Sequence, residues 1–67
     1  MNTIARVKEL AAERELSLHG LALLCGVPYS TLKNTELRNG QLTVDTIEQI
    51  CRGLDIPLFL FFIGTGA

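Results

Sequence analysis

Apolar residues recur at intervals of three and four along most of this 67-residue chain, and turn-forming residues interrupt the pattern repeatedly. Such spacing is typical of one face of an amphipathic helix. No strand pattern competes with it outside the short apolar run at 58–63. Since the length suits one domain, we predict a single all-α unit, a compact five-helix bundle over residues 1–67. Its core should span about 4–62, and 63–67 should form a frayed tail.

The first two helices are predicted from their apolar stripes and caps. A helix over residues 3–14 begins at Thr3 as its N-cap. Its buried face comprises Ile4, Val7, Leu10 and Ala11. A second helix begins after Ser17 and ends at Gly26, where a left-handed C-cap residue is favoured. Its buried stripe comprises Leu18, Leu21, Ala22 and Leu24.

A third helix follows almost at once. Val27 resumes the apolar pattern, and Pro28 fits a first helical turn, where no N–H is needed. Leu32 lies close to the same face, and Asn39-Gly40 marks a stop, so we predict a helix from about Pro28 to Leu37. A short turn with glycine makes two helix axes cross steeply, which is the geometry of a helix-turn-helix.

Two more helices complete the expected architecture. Thr43 caps a fourth helix, which ends at Asp55, and Pro57 opens a short fifth helix through Phe62. The buried stripe of the fourth helix comprises Val44, Ile47, Ile50, Cys51 and Leu54. The apolar run at 58–63 is too short to span a bilayer, which takes about 20 residues.

Charge and cysteine content narrow the function classes only in part. A net charge of −1 neither indicates nor excludes nucleic-acid binding, and the least acidic part is the segment 27–43, which contains Lys33 and Arg38. Cys25 and Cys51 lack a CxxC motif and a nearby histidine pair, so we expect buried free thiols, no metal site and a cytoplasmic protein. With one isolated histidine and no nucleophile–base pair, we expect neither enzymatic activity nor a cofactor.

The segments SLHGLALLCGVPYSTLKN and TVDTIEQICRGLDI, with an Asn-Gly turn between them, resemble the Cro/lambda-repressor-like helix-turn-helix domains of the XRE family. That family has an apolar-alanine pair in its second helix, here Leu21-Ala22, followed by Gly-Val and Ser-Thr-Leu. The resemblance covers roughly residues 4–62. The family usually has an apolar residue where Thr35 stands, and we expect Leu37 to take over that anchoring. It often has a phosphate-binding glutamine where Leu18 stands.

The resemblance implies that the third helix lies in the DNA major groove, with its N-terminal residues against base edges. Base contacts are implied for Tyr29, Ser30 and Asn34. Contacts with the phosphate backbone are implied for Ser17, His19, Thr31, Lys33, Arg38 and Asn39. Each has a plainer alternative: the tyrosine packs over the turn, the hydroxyls satisfy a helical turn, and the charged groups are simply solvated.

The uncharged segment IPLFLFFI at 56–63 would be apolar on every side of a helix, and one small domain cannot bury all of it. We expect Leu58, Phe61 and Phe62 to belong to the core. We also expect a symmetric homodimer through this helix, the alternative being a tolerated exposed surface. The predicted dimer interface comprises Leu58, Phe59, Phe62 and Ile63.

The pattern and the resemblance together predict a sequence-specific transcriptional regulator, expected to be a repressor, that binds double-stranded DNA as a homodimer and binds no membrane. The alternative is a protein-interaction module that keeps the helix-turn-helix fold, no longer binds DNA and has a protein partner instead. The low basic charge, Leu18 in place of glutamine and the apolar C-terminal segment favour this alternative.

Overall fold

The computed structural model describes residues 2–63 and places five α-helices in that segment. The helices are α1 (Thr3–Glu13), α2 (Leu18–Cys25), α3 (Tyr29–Leu37), α4 (Val44–Leu54) and α5 (Leu58–Phe62). No strand occurs among these residues, so the prediction of an all-helical bundle is confirmed. None of the helices found here has the length and apolarity needed to cross a membrane. Of the tail predicted at 63–67, only Ile63 lies within the described residues.

Local capping chemistry sets both ends of α2 and of α4, as predicted. The Ser17 hydroxyl accepts a hydrogen bond from the Gly20 N–H at 3.0 Å and begins α2. The Thr43 hydroxyl accepts from the Thr46 N–H at 3.2 Å and begins α4. Asp55 ends α4 in the left-handed conformation, with φ of 57°. Short polar side chains satisfy otherwise unpaired N–H groups, and aspartate tolerates the left-handed region better than most residues.

The predicted N-cap of α1 is wrong. Asn2 holds that position, and its Oδ1 accepts a hydrogen bond from the Ala5 N–H at 3.0 Å. Thr3 is instead buried as the first helical residue, and its hydroxyl donates to Gln41 Oε1 at 2.7 Å and accepts from the Leu42 N–H at 2.9 Å. The hydroxyl is therefore committed to joining α1 to the loop before α4, which leaves capping to its neighbour.

The core lies between α1, α2 and α4, and it also takes two buried residues from α3 and one from α5. The buried apolar residues are Ile4, Val7, Leu10, Ala11, Leu21, Ala22, Cys25, Val27, Leu32, Leu42, Ile47, Ile50, Cys51, Leu54 and Phe61. Both cysteines are free and buried, as expected. Burial raises the pKa of both thiols above the ordinary value, so the groups stay protonated at neutral pH.

Two apolar positions of the predicted stripes are exposed instead. Leu24 is 56% exposed, because Cys25 takes the buried position one turn after Leu21. Val44 is 60% exposed, because it opens α4 three residues before Ile47, the first buried side chain of that helix. Periodicity gives the direction of a side chain, but not where the neighbouring elements end.

Helices α2 and α4 pack closely against each other at Gly53. A Cβ atom at Gly53 would lie 2.6 Å from both the Cα and the Sγ of Cys25, so the glycine is what allows the two helices to meet. One turn earlier, Gln49 Nε2 donates to the carbonyl of Gly26 at 2.8 Å and to that of Cys25 at 3.3 Å. Helix α4 therefore fixes the C-terminal end of α2 and the chain that leaves it.

Candidate nucleic-acid interface

Three residues connect α2 to α3, and each has a defined structural role. Gly26 is left-handed, with φ of 70°, a conformation that glycine adopts without strain. Val27 is buried, and its N–H donates to the Ala22 carbonyl at 3.0 Å. Pro28 occupies the N-cap of α3 rather than its first turn, and its carbonyl accepts from the Thr31 N–H at 3.0 Å. The start of α3 is thus held from both the turn and the core.

Two residues attach α3 to the core, and they are not the pair that was predicted. Leu32 is fully buried, and Thr35, three residues on, is only 3% exposed. The Thr35 hydroxyl donates to the Thr31 carbonyl at 2.8 Å, so its polar atom is satisfied within the helix while the residue stays buried. Leu37 is 72% exposed, and the expectation that it replaces Thr35 as an anchor is therefore wrong.

The outward face of α3 follows from that attachment. At 3.6 residues per turn, Leu37 lies about 140° around the helix from Leu32. Ser30, Lys33 and Asn34 share this side of the helix and are exposed. These four residues, at positions i, i+3, i+4 and i+7, form what we call the outer face of α3. It combines a hydroxyl, an ammonium group, a carboxamide and one apolar side chain.

All nine residues predicted to contact DNA are exposed, so each is available to a ligand. They are Ser17, His19, Tyr29, Ser30, Thr31, Lys33, Asn34, Arg38 and Asn39. The structure joins two of them directly: the rings of His19 and Tyr29 meet edge to face, with centroids 5.0 Å apart and an interplanar angle of 76°. This contact links the N-terminal ends of α2 and α3, and Tyr29 still leaves 37% of its surface exposed.

A carboxylate interrupts the basic character of this surface. Glu36 forms an ion pair with Lys8 of α1, and its other oxygen lies 3.5 Å from Lys33 Nζ. The hydrogen bond from Lys8, assisted by the charge of Lys33, lowers the pKa of the Glu36 carboxyl below its ordinary value. Arg38 forms no ion pair within residues 2–63. Part of the positive charge near α3 is therefore already compensated inside the molecule.

The end of the chain carries a separate apolar surface. Phe61 is fully buried, but Leu58 and Phe62, which were also predicted in the core, are exposed. A helix of five residues projects few side chains in any one direction, and Phe61 is the one residue of α5 that is buried. The predicted dimer residues Leu58, Phe59, Phe62 and Ile63 are all exposed, as is Leu60. We call these five residues the α5 patch.

Arg6 fixes the α5 patch in place, a role that the sequence pattern did not indicate. Its Nε donates to the Phe61 carbonyl at 2.6 Å, and its Nη2 donates to the Leu60 carbonyl at 2.7 Å. A guanidinium group is well suited to two such acceptors because it presents several N–H groups in one plane. The helix is short, yet its orientation is held by charge-assisted hydrogen bonds as well as by Phe61.

The described residues contain no group of three or more His, Cys, Asp or Glu side chains that could hold a metal ion. The outer face of α3 offers hydrogen-bonding, basic and apolar groups, and the α5 patch offers apolar groups alone. No protein-family model, curated protein or solved structure matches this chain.

Proposed function

We propose that this chain is a sequence-specific DNA-binding regulator of transcription, of the Cro/lambda-repressor-like helix-turn-helix type, in which α3 enters the major groove. The observation that carries the proposal is the outer face of α3. Helix α3 buries only Leu32 and Thr35 and directs Ser30 and Asn34 outward. Carboxamides pair with adenine and hydroxyls pair with any base, so this face has the chemistry of base recognition.

Contacts from the core hold the start of α3 in place, which favours its use as a preorganised recognition helix. Gln49 of α4 holds the carbonyls at the end of α2, and the buried Val27 holds the connection. A side chain that reads a base needs a fixed position, because a displaced hydrogen-bond donor loses most of its discrimination. Arg38, which is unpaired within residues 2–63, and Asn39 follow directly after α3 and suit contacts with phosphate oxygens.

The α5 patch supports a homodimer as the active form. Phe59 is 62% exposed at the centre of a charge-free segment, and clustered apolar surface of this kind marks association sites. A two-fold dimer would present two copies of α3, and DNA half-sites one helical turn apart, about 34 Å, would match them. We propose no catalytic activity for the chain.

Selection of bound sequences from a random pool of DNA duplexes tests this function directly. We expect enrichment of a two-fold symmetric site. We also expect a log–log dependence of affinity on salt with a slope of about −4 to −6 for the dimer. Folded protein that binds no duplex even at low salt would refute the proposal. Binding to all duplexes without sequence preference would refute a role as a sequence-specific regulator.

A protein-interaction module is the second candidate, and two observations favour it. Lys33, one of the few cations near α3, is paired with Glu36. Leu23 of α2 is also exposed, so apolar surface is not confined to α5. The salt titration separates the two functions, because an interaction module shows no affinity for duplex DNA while it still associates through its apolar surface.

A further inference from the structure

Arg6 belongs to α1, but its side chain serves α5. The side chain is only 12% exposed, although arginine is rarely buried unless it is paired. All three guanidinium nitrogens have partners: Nε donates to the Phe61 carbonyl at 2.6 Å, Nη2 donates to the Leu60 carbonyl at 2.7 Å, and Nη1 lies 3.4 Å from Glu9 Oε1. Two of these three partners belong to α5, so the position of the guanidinium group is matched to that helix.

Helix α5 depends on such contacts because it is too short to be stable alone. It has five residues, and isolated helices of fewer than about 12 residues are marginal in water. Its N-cap, Pro57, provides no side-chain hydrogen bond. The last carbonyls of a helix have no partner within that helix. Arg6 supplies charge-assisted donors to two of them, which holds the C-terminal end of α5.

The two carbonyls that Arg6 holds lie in the middle of the α5 patch. The buried Phe61 ring and the chain that enters at Pro57 attach α5 to the rest of the fold. The hydrogen bonds from Arg6 add a third attachment, which acts on the backbone between the exposed side chains of Phe59 and Phe62. Loss of that attachment would let the last turn of α5 fray, and the apolar side chains of the patch would lose their fixed positions.

A fixed patch matters for the association of two identical subunits. In a two-fold dimer the same surface is used by both partners, so a displaced patch spoils the fit twice. Interface side chains that become ordered only on binding also cost free energy, which a preorganised surface does not lose. A contact that orients α5 within one subunit therefore strengthens the contact between two subunits.

We propose that Arg6 is a positioning residue for dimerisation, which holds the α5 patch in the geometry in which two copies of this chain associate. The inference rests on the proposed function, because the dimer through the α5 patch is part of it. Lysine should not replace Arg6, since an ammonium group lacks the planar set of N–H groups that spans two carbonyls and a carboxylate. Glu9 should matter less, because its side chain is 55% exposed and exposed ion pairs contribute little.

Sedimentation equilibrium of four single variants tests the proposal. We expect the dimer dissociation constant to rise at least about tenfold for Arg6→Lys and Arg6→Gln, as when one or two interface side chains must be ordered on binding. Glu9→Gln should stay within about threefold of wild type. Arg14→Gln is the matched control and should leave the constant unchanged, because Arg14 Nη1 donates to the Leu10 carbonyl at 3.3 Å and not to α5.

Amide hydrogen exchange and half-site binding separate positioning of the patch from general stability. The Ile63 N–H donates to the Phe59 carbonyl at 3.1 Å and reports on α5. At concentrations where both proteins are monomeric, Arg6→Gln should accelerate exchange at Ile63 and leave the amides of α2 and α4 protected. Its affinity for an isolated DNA half-site should equal that of wild type, since α3 is unchanged.

The outcomes separate this inference from the function on which it rests. Dimer dissociation constants equal to wild type for both Arg6 variants would overturn the inference and leave the dimer intact. Variants that do not fold, or whose amides all exchange faster, would also overturn it, because Arg6 would then support the whole fold. A wild-type chain that stays monomeric at every concentration would remove the proposed dimer together with this inference. A dimer that depends on Arg6 but binds no duplex would refute DNA recognition and leave the inference standing.

Discussion

The substitution Gly53→Ala tests how the bundle holds its second helix. A Cβ atom there would lie 2.6 Å from the Cα of Cys25, 2.6 Å from its Sγ and 2.8 Å from its Cβ. Ordinary van der Waals contact begins at 3.4 Å, so α2 and α4 would have to separate by about 0.8 Å. A rotamer change at Cys25 cannot relieve the overlap, because a backbone atom is one of the three that the added methyl group would meet.

Two opposing effects set the magnitude. Alanine is favoured over glycine inside a helix by about 1 kcal/mol. Overpacking a core costs about 1–3 kcal/mol, and a clash with backbone belongs at the upper end of that range. We therefore expect a net loss of about 2 kcal/mol in the free energy of unfolding. A domain of this size has roughly 3–10 kcal/mol in total, so the loss is substantial. It corresponds to a fall in thermal midpoint of about 8–16 °C.

Thermal unfolding followed by circular dichroism measures this, at one fixed protein concentration because dimerisation would add to the apparent stability. Gly20→Ala is the matched control, since its nearest neighbour is the Ser17 hydroxyl at 3.3 Å, and its midpoint should stay well above that of Gly53→Ala. Adding Cys25→Ala to Gly53→Ala should not restore stability, because the new methyl group would still overlap the backbone of α2. A midpoint for Gly53→Ala equal to or above wild type would refute the reasoning.

Three further substitutions probe the surface. Asn34→Ala should relax the preference at one base pair per half-site by about 1–3 kcal/mol, and equal weakening across all sequences would make it a backbone contact instead. Glu36→Gln frees Lys8 and Lys33, so the salt slope of DNA binding should steepen by about 1 per phosphate gained, whereas an unchanged slope would contradict this. The pKa of Glu36 is lower in the folded protein than in the unfolded chain, so its ion pairs stabilise wild type at pH values above the unfolded pKa. This stabilisation is lost as the pH falls through the folded pKa, because the carboxylate becomes protonated. The thermal midpoints of wild type and Glu36→Gln should therefore converge in acid. Phe59→Glu should halve the sedimentation mass if the α5 patch is the dimer interface, and an unchanged dimeric mass would exclude that interface.

Features that depend on a few neighbouring residues could be predicted from the sequence. Ser17 and Thr43 cap their helices because a hydroxyl reaches N–H groups only three residues away. Gly26 and Asp55 end theirs because the left-handed conformation is a local property of the residue type. The buried face of α1 followed from its spacing, since four apolar residues pointed one way. The five candidates within α3, which are Tyr29, Ser30, Thr31, Lys33 and Asn34, are polar or amphipathic, and all five are exposed.

Features that depend on residues far away in the sequence could not be predicted. A polar residue such as Thr35 is not expected in a core, but its hydroxyl donates to the Thr31 carbonyl within the helix, so Thr35 is buried while Leu37 is exposed. The spacing of Leu37 from Leu32 did carry that signal, since five residues rotate a side chain to the opposite flank. No such signal existed for Arg6, which crosses 54 and 55 positions of sequence to reach α5. Nor did one exist for Gly53, whose importance appears only once α2 lies against it.

Under the proposed function, the small number of unpaired basic groups near α3 makes DNA affinity depend on dimerisation through the α5 patch. Sequence-independent affinity for DNA comes from phosphate neutralisation, and Glu36 already engages both lysines of the sequence, Lys8 and Lys33. Each subunit would then hold random DNA weakly and depend on base contacts. Joining two such subunits makes the second half-site encounter intramolecular, which recovers affinity only where both half-sites are correct. Disrupting the patch should accordingly weaken binding to a full site far more than binding to an isolated half-site. Equal losses on both would show that each subunit recognises DNA independently.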